Sequence, residues 1–359
     1  SRGLGDVYKR QDGELSNLHF AYHGQIKHAD YLNSRRIELK GEYEELRVRY
    51  LDGWPLVNEA KGNVHVSGAE TSVSVLEGNT LGMQEFSAVL TIDNVGTTLF
   101  ADVDFTSEDN GMISFILNSP LKDELSFLSN EWRSGGTIAG NLSLSFPFSS
   151  DLSSDIGLDI KFQLSDFDLI VPEYELDFRS IEGEGGFYLP HHLSGDFQGK
   201  LFDEKISIKA LSNIESLKFV SEGLADPKMI NTITDLSIKE YFEGCFEYFA
   251  EMVFEMKGTN RSNFSLVTDL EGMTVKLPLP FFKEQKESTE FKINIDFDED
   301  KEVVVLSYAD HNLFLTTQEK EIINGAIALS GSLPLKNLPQ NSGVMMGAVS
   351  YTHLRAHET

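Results

Sequence analysis

Cysteine is nearly absent: the 359-residue chain has one, Cys245. A single thiol excludes an internal disulfide framework and any cysteine-based zinc site, since each needs at least two. Tryptophan is almost as scarce, 2 residues against 25 phenylalanines, so the aromatic bulk is mostly without polar handles. Positive charge is outnumbered, with 30 Lys and Arg against 57 Asp and Glu and a net charge of −27. Nucleic acid is therefore excluded as a partner, because a phosphate backbone is bound by clustered cations that release counterions. Anionic headgroup surfaces are disfavoured for the same reason. No apolar run reaches the ~18 to 20 residues that a helical membrane span needs, and no charged-then-apolar leader opens the chain. With 40% hydrophobic residues, 29 Gly and 10 Pro, the composition is neither disordered nor collagen-like. Length alone predicts about two domains.

The two ends, Ser1 to Gln11 and Val349 to Thr359, resemble translated sequencing adapters and are set aside from fold reasoning. On that reading the chain is an internal piece of a longer protein whose anchor and address lie elsewhere.

Strict alternation of apolar and polar residues is what the sequence does have. Leu142, Leu144, Phe146 and Phe148 alternate with Ser143, Ser145 and Pro147; Leu158, Ile160, Phe162 and Leu164 alternate with Asp159, Lys161 and Gln163. Each reads as a strand with one apolar and one wet face. The period recurs at Val64/Val66, Val73/Val75, Val103/Phe105, Ile113/Phe115/Leu117, Ile206/Ile208, Phe264/Leu266, Val275/Leu277/Leu279, Phe291 to Phe297, Leu313/Leu315 and Ile327/Leu329. Turn signals punctuate it, among them Asp52-Gly53, Glu77-Gly78, Asn110-Gly111, Glu182-Gly183 and Asn324-Gly325. The fold class is all-β, built from consecutive hairpins. Two segments break the period: Leu121, Leu125, Leu128 and Trp132 predict a short helix near 120–132, and Asp226-Pro227 opens a second near 227–237. Around Pro172 the alternation slips by one residue, which predicts a β-bulge. A flat sheet of so many strands is physically unfavourable, so it must split into sandwiches or curl. Two sheet segments are expected, 12–148 and 149–348.

Catalytic chemistry finds no support. His19 and His23 have metal-like spacing, but on a strand that spacing makes no helical pair. His191 and His192 sit in a turn. The acidic run Asp296, Asp298, Glu299, Asp300 and Glu302 lacks the bend glycine and closing bidentate Glu of a calcium loop, and reads as a charged hairpin tip. There is no Gly-x-Ser-x-Gly elbow, phosphate loop or dinucleotide fingerprint, and no carboxylate pair stands out. No enzyme activity, metal or cofactor is expected. What remains is surplus apolar surface, as at Phe242, Phe246, Tyr248, Phe249, Val253, Phe254 and Met256 and at Phe281-Phe282. It is either core or the lining of a cavity for something greasy.

Several motifs in order then resemble one family. They are Trp54-Pro55 followed by Gly62, Val64, Gly68 and Ser72 to Val75; Asn118-Ser119-Pro120-Leu121; Trp132-Arg133 with Gly140 to Leu144; Gly199 to Phe202; and Ser265 to Gly272 continuing through Lys276-Leu277-Pro278-Leu279-Pro280 to Lys283. Over residues 50 to 290 they resemble the central region of YhdP-like proteins of the AsmA family, from the Gram-negative envelope. The chain departs from that family's pattern at Lys276, where an acid is usual, and at Leu279 and Phe281.

The resemblance implies a long curved antiparallel sheet forming an elongated, taco-like β-groove with a few short helices. It also implies a periplasmic protein anchored in the inner membrane through a segment outside this chain, with proteins on the outer-membrane side as further partners. The implied role is shielding phospholipid acyl chains in transit between the two membranes. The residues expected to line the groove are Leu142, Leu144, Phe146, Leu158, Ile160, Phe162, Leu169, Val171, Leu176, Phe178, Ile206, Ile208, Leu266, Val275 and Leu277. Two other readings stay open: a structural or adhesive β-rich envelope protein with a filled apolar core, and a carbohydrate-active β-sandwich enzyme.

Overall fold

The computed structural model describes residues 12–24, 36–49, 53–68, 70–92, 97–125, 127–147, 157–189, 192–213, 215–227, 239–255, 261–298, 301–318, 321–329 and 344–349. It is all-β: nineteen strands hydrogen-bond into one sheet and two more pair separately. Successive strands pair antiparallel except at the end of the chain. The sheet is open and does not close into a barrel. Contacts divide the chain into two compact units, Ser1–Glu173 with Asp177–Phe197, and Tyr174–Leu176 with Gln198–Thr359. The strands on either side of residues 148 and 149 are hydrogen-bonded to each other from Arg133↔Ile170 to Ser145↔Gly157.

The first unit is a ladder of β1 (Asp12–His23), β2 (Arg36–Val48), β3 (Val57–Ser67), β4 (Glu70–Thr80), β5 (Met83–Ile92), β6 (Thr98–Glu108), β7 (Arg133–Pro147), β8 (Gly157–Val171) and β9 (Leu176–Tyr188), running into β10 (His192–Leu201). Between β6 and β7 lie α1 (Gly111–Leu117) and the single turn α2 (Leu121–Glu124). The alternation Ile113/Phe115/Leu117 is thus helical, not extended. Met112 and Ile116 are also apolar, which leaves Ser114 alone to mark a wet face, and short apolar runs are ambiguous on that ground. Ile113, Phe115, Leu121 and Leu125 are buried and cover one end of the sheet.

The helix expected over 120–132 is only that one turn. Beyond it Leu128 and Trp132 are carried on turns, with Leu128 N–H donating to Leu125 O at 3.0 Å and the Ser129 hydroxyl taking the Glu131 N–H at 3.1 Å. Such side-chain competition for backbone donors ends helices. The helix expected over 227–237 lies outside the described residues apart from Pro227.

At Pro172 there is no bulge. β8 ends at Val171, Pro172–Tyr174 form a 3₁₀ turn, and β9 returns. A register shift does occur nearby, between Gly135 and Thr137 opposite β8. There Gly136 has φ +77, and a Cβ on it would lie 2.0 Å from Asp166 O.

The second unit continues through β11 (Glu204–Ser212), β12 (Ser216–Ala225), β14 (Phe246–Glu255), β15 (Arg261–Thr268), β17 (Phe291–Asp298), β18 (Lys301–Tyr308), β19 (His311–Gln318) and β20 (Glu321–Leu329). β13 (Phe242–Gly244) and β16 (Met273–Val275) pair with each other as a satellite. The expected strand Val275/Leu277/Leu279 therefore stops at Val275. Pro278 and Pro280 cannot donate to a ladder, and Leu279 stands 84% exposed in the loop that follows. Lys283 anchors this loop: it is 1% exposed, and its Nζ donates to Met273 O at 2.8 Å and Glu284 O at 3.0 Å. The final strand, β21 (Val344–Val349), pairs parallel with β20, an exception to the antiparallel expectation.

Three expected turns are instead strand interiors. Glu77-Gly78 lies in β4, Glu182-Gly183 in β9 and Asn324-Gly325 in β20. At Gly183 the glycine is a seat for an aromatic ring, since a Cβ there would meet Phe197 Cδ1 at 2.9 Å. A strand glycine can mark close approach as well as a turn.

Candidate functional site

Because partners across an antiparallel ladder point to the same side, the registers of the first unit can be followed as rows crossing β2 to β8. One row is Gly41–Val64–Val73–Leu90–Ala101–Leu144–Leu158. The rows flanking it on the same face are Tyr43–Gly62–Val75–Ala88–Val103–Leu142–Ile160 and Leu39–Val66–Thr71–Ile92–Leu99–Phe146. None contains a charge. The interleaved row Glu42–Asn63–Ser74–Val89–Asp102–Ser143–Asp159 points to the opposite face and is mostly polar. At ~4.8 Å per strand the two seven-residue apolar rows run about 29 Å and the six-residue row about 24 Å.

This face is filled at one end and accessible at the other. Toward α1, Tyr43, Val57, Ala60, Met83, Phe105, Ile138 and Leu164 are buried. Aromatic rings lie over glycines of the next strand: a Cβ at Gly62 would be 2.6 Å from Tyr43 Oη, one at Gly140 2.9 Å from Phe105 Cζ, and one at Gly185 2.4 Å from Phe162 Cζ. Phe162 also stacks on Phe197 at 6.2 Å. The Tyr43 hydroxyl donates to Ser74 O at 2.9 Å, and burial pushes its pKa to about 12. Away from α1, Val64, Val66, Val73, Leu90, Ile92, Leu99 and Phe146 are only half-buried. That is the signature of an apolar surface without a cover.

The second unit repeats the pattern. Ile208–Ser221–Ala250–Leu266–Ile293–Leu306–Leu313–Ile327 form one row, and Ala210–Phe219–Met252–Phe264–Ile295–Val304–Leu315–Gly325 the next. Most of these side chains are again half-buried. Buried Tyr248 leans over Gly223, 3.0 Å from where a Cβ would be, and burial raises its pKa to about 12. The opposite face is less polar than alternation predicts at β18 to β20, where Val305, Phe314 and Ala326 are paired across the ladder and Phe314, Ala326 and Ala328 are buried.

Of the residues singled out in the sequence, Leu142, Leu144, Phe146, Leu158, Ile160 and Phe162 fall on the one apolar face of the first unit. Leu169 pairs with Ser134 and Val171 is 3% exposed at the end of β8, while Leu176 and Phe178 are half-buried at the start of β9. Ile206, Ile208 and Leu266 share the apolar face of the second unit. Val275 and Leu277 do not join them: Val275 is 1% exposed inside the satellite sheet, and Leu277 is in the loop beyond it. Sequence reasoning missed Ala88, Leu90 and Ala101, which complete the first unit's rows. In Phe86 to Ile92 the apolar Val89 stands at a polar position and blurs the period, and alanines carry little hydrophobic signal.

Among the described residues no three His, Cys, Asp or Glu side chains come together as metal ligands, and no helix is long and apolar enough to cross a membrane. The cavity of about 650 Å³ beside α1 is lined by Asn58, Asn79, Thr80, Glu108, Asp109 and Ser114 among others.

A family model described as "YhdP protein" matches residues 5–355, running into both terminal stretches that resemble adapters. No curated protein and no solved structure matches the chain.

Proposed function

The chain belongs to the YhdP family, and from that premise we propose that its apolar face holds the acyl chains of phospholipids in transit between inner and outer membranes. The observation that carries the proposal is the set of uncharged rows, in which Val64, Val73, Leu90, Ile92 and Leu99 of the first unit and most members in the second unit are half-buried. Water against such a surface is unfavourable. An acyl chain laid along it gains about 0.8 kcal/mol per CH₂ removed from water, whereas the headgroup keeps its hydration at the edge. The chain's own residues then bind and shield, with no bond made or broken, so we assign no catalytic residue.

The net charge of −27 keeps a sheet of this size soluble and opposes pairing of its edges. Location in the periplasm, attachment to the inner membrane through a segment outside this chain, and contact with proteins on the outer-membrane side belong to the same proposal.

A structural role with a filled core is the second reading, favoured by the buried cluster of Tyr43, Val57 and Ala60 with Leu46, Val73 and Phe86 packed on it. Extraction and mass spectrometry of lipid from the protein purified from a Gram-negative periplasm separates the two. Phospholipid in near-stoichiometric amount is expected. A folded, lipid-free protein would favour the filled core.

A further inference from the structure

The apolar face of the second unit is not apolar to its edge. Beyond the two rows described above lies a third, Ser212–Leu217–Phe254–Ser262–Phe297–Glu302–Thr317. Polar side chains enter the face here, and Glu302 is the only charge in the three rows. It lies between Phe297 and Thr317 and is half-buried. Its Oε2 accepts the Thr317 hydroxyl at 2.8 Å, which fixes the carboxylate on this side of the sheet. The row is therefore the line along which an acyl chain gives way to something polar.

Five cations of this unit are already engaged. Lys218 pairs with Glu251, Lys276 with Glu243 at 2.7 Å, Lys292 with Glu290 at 2.7 Å, and Arg261 with Asp298 at 3.2 Å. Lys283 is buried against two carbonyl oxygens. Within the row itself a headgroup meets a carboxylate and no cation.

Resting on the acyl-chain reading of this face, we infer that Glu302 is a specificity-determining residue that favours phospholipids carrying an ammonium, such as ethanolamine lipids, over purely anionic ones. The ammonium would oppose the carboxylate at the polar row while the acyl chains lie along the two uncharged rows. Exposed ion pairs have modest strength, so the preference is a bias of about two- to fivefold.

The test is loading of the full chain from vesicles of equimolar phosphatidylethanolamine and phosphatidylglycerol with matched acyl chains, followed by extraction and quantification. The wild type is expected to enrich the ethanolamine lipid by about two- to fivefold, Glu302→Gln to load both equally, and Glu302→Lys to reverse the ratio. Equal ratios in the three proteins, with lipid bound, overturn the role of Glu302 and leave the acyl-chain reading standing. No lipid in any of them overturns both. Glu302 lies near a hairpin tip beside Lys301. If Glu302→Lys misfolds, the isosteric Glu302→Gln decides: wild-type enrichment retained by it contradicts the inference.

Discussion

Ile295→Asp is expected to strip the protein of bound phospholipid, at least tenfold against wild type, while leaving its β-structure intact. Ile295 is half-buried in the middle of its row, paired with Phe264 on one side and Val304 on the other. A carboxylate there interrupts the apolar surface at the point where an acyl chain would have no way round it, and desolvating that charge against hydrocarbon costs several kcal/mol. Because the side chain is not fully enclosed, the folded apo protein can hydrate the new charge, so binding should suffer far more than folding. The control is the next residue. Asn294 points to the opposite face, where its Oδ1 accepts from Asn263 Nδ2 at 3.1 Å. Asn294→Asp adds the same charge and keeps that acceptor, so lipid content should not change. Thermal melting and lipid quantification of both variants check the pair, and equal lipid loss in the two would mean that the effect is of charge and not of the face.

Gly82→Ala is expected to destabilise the fold by about 2 to 5 kcal/mol, from left-handed strain and overpacking together. Gly82 turns β4 into β5 at φ +75, and a Cβ on it would lie 2.3 Å from Gly111 Cα and 2.5 Å from Gly111 O. The contact is reciprocal, since a Cβ on Gly111 would be 1.9 Å from Gly82 O. The Ser107 hydroxyl, wholly buried, donates to that same oxygen at 2.9 Å. Neither backbone can retreat without parting α1 from the sheet it covers. Gly68 provides the comparison. Its φ is +67, but nothing lies within 4 Å of where an added methyl would stand, so Gly68→Ala should cost only the backbone term, about 1 to 2 kcal/mol. Urea midpoints of the two variants measure the difference. A Gly82→Ala protein as stable as Gly68→Ala would show that the crossing is slack.

The strands were legible where alternation was clean and both neighbours alternated too. Leu142 to Phe146 against Leu158 to Phe162 is such a pair, and its register placed all six apolar residues together. Legibility failed in three physical circumstances. A segment apolar except at Ser114, Met112 to Leu117, has too weak a period to read and was settled by tertiary cover over the sheet. Glycine was ambiguous between a turn and a seat for a ring, which depends on a neighbouring strand that the local sequence does not reveal. Proline-rich stretches could be given the right alternation and the wrong structure, as at Leu277 and Leu279. The site was less legible than the fold for a related reason. Period two separates the faces of a strand, but not the filled end of a face from its open end. That distinction came from which residues lie under α1 and which aromatic rings fold over Gly62, Gly140 and Gly185.

The central claim is that lipid contacts one face of the sheet. Photo-crosslinking from two adjacent positions of β19 tests it most directly. Leu313 is in an uncharged row between Leu306 and Ile327, and Asn312 points to the other face, where it accepts the Ser307 hydroxyl at 2.7 Å. With a photoreactive side chain at each in turn and the protein made in a Gram-negative periplasm, phospholipid adducts should form from position 313 and not from 312. Adducts from both equally, or from neither while lipid remains bound, would contradict the account.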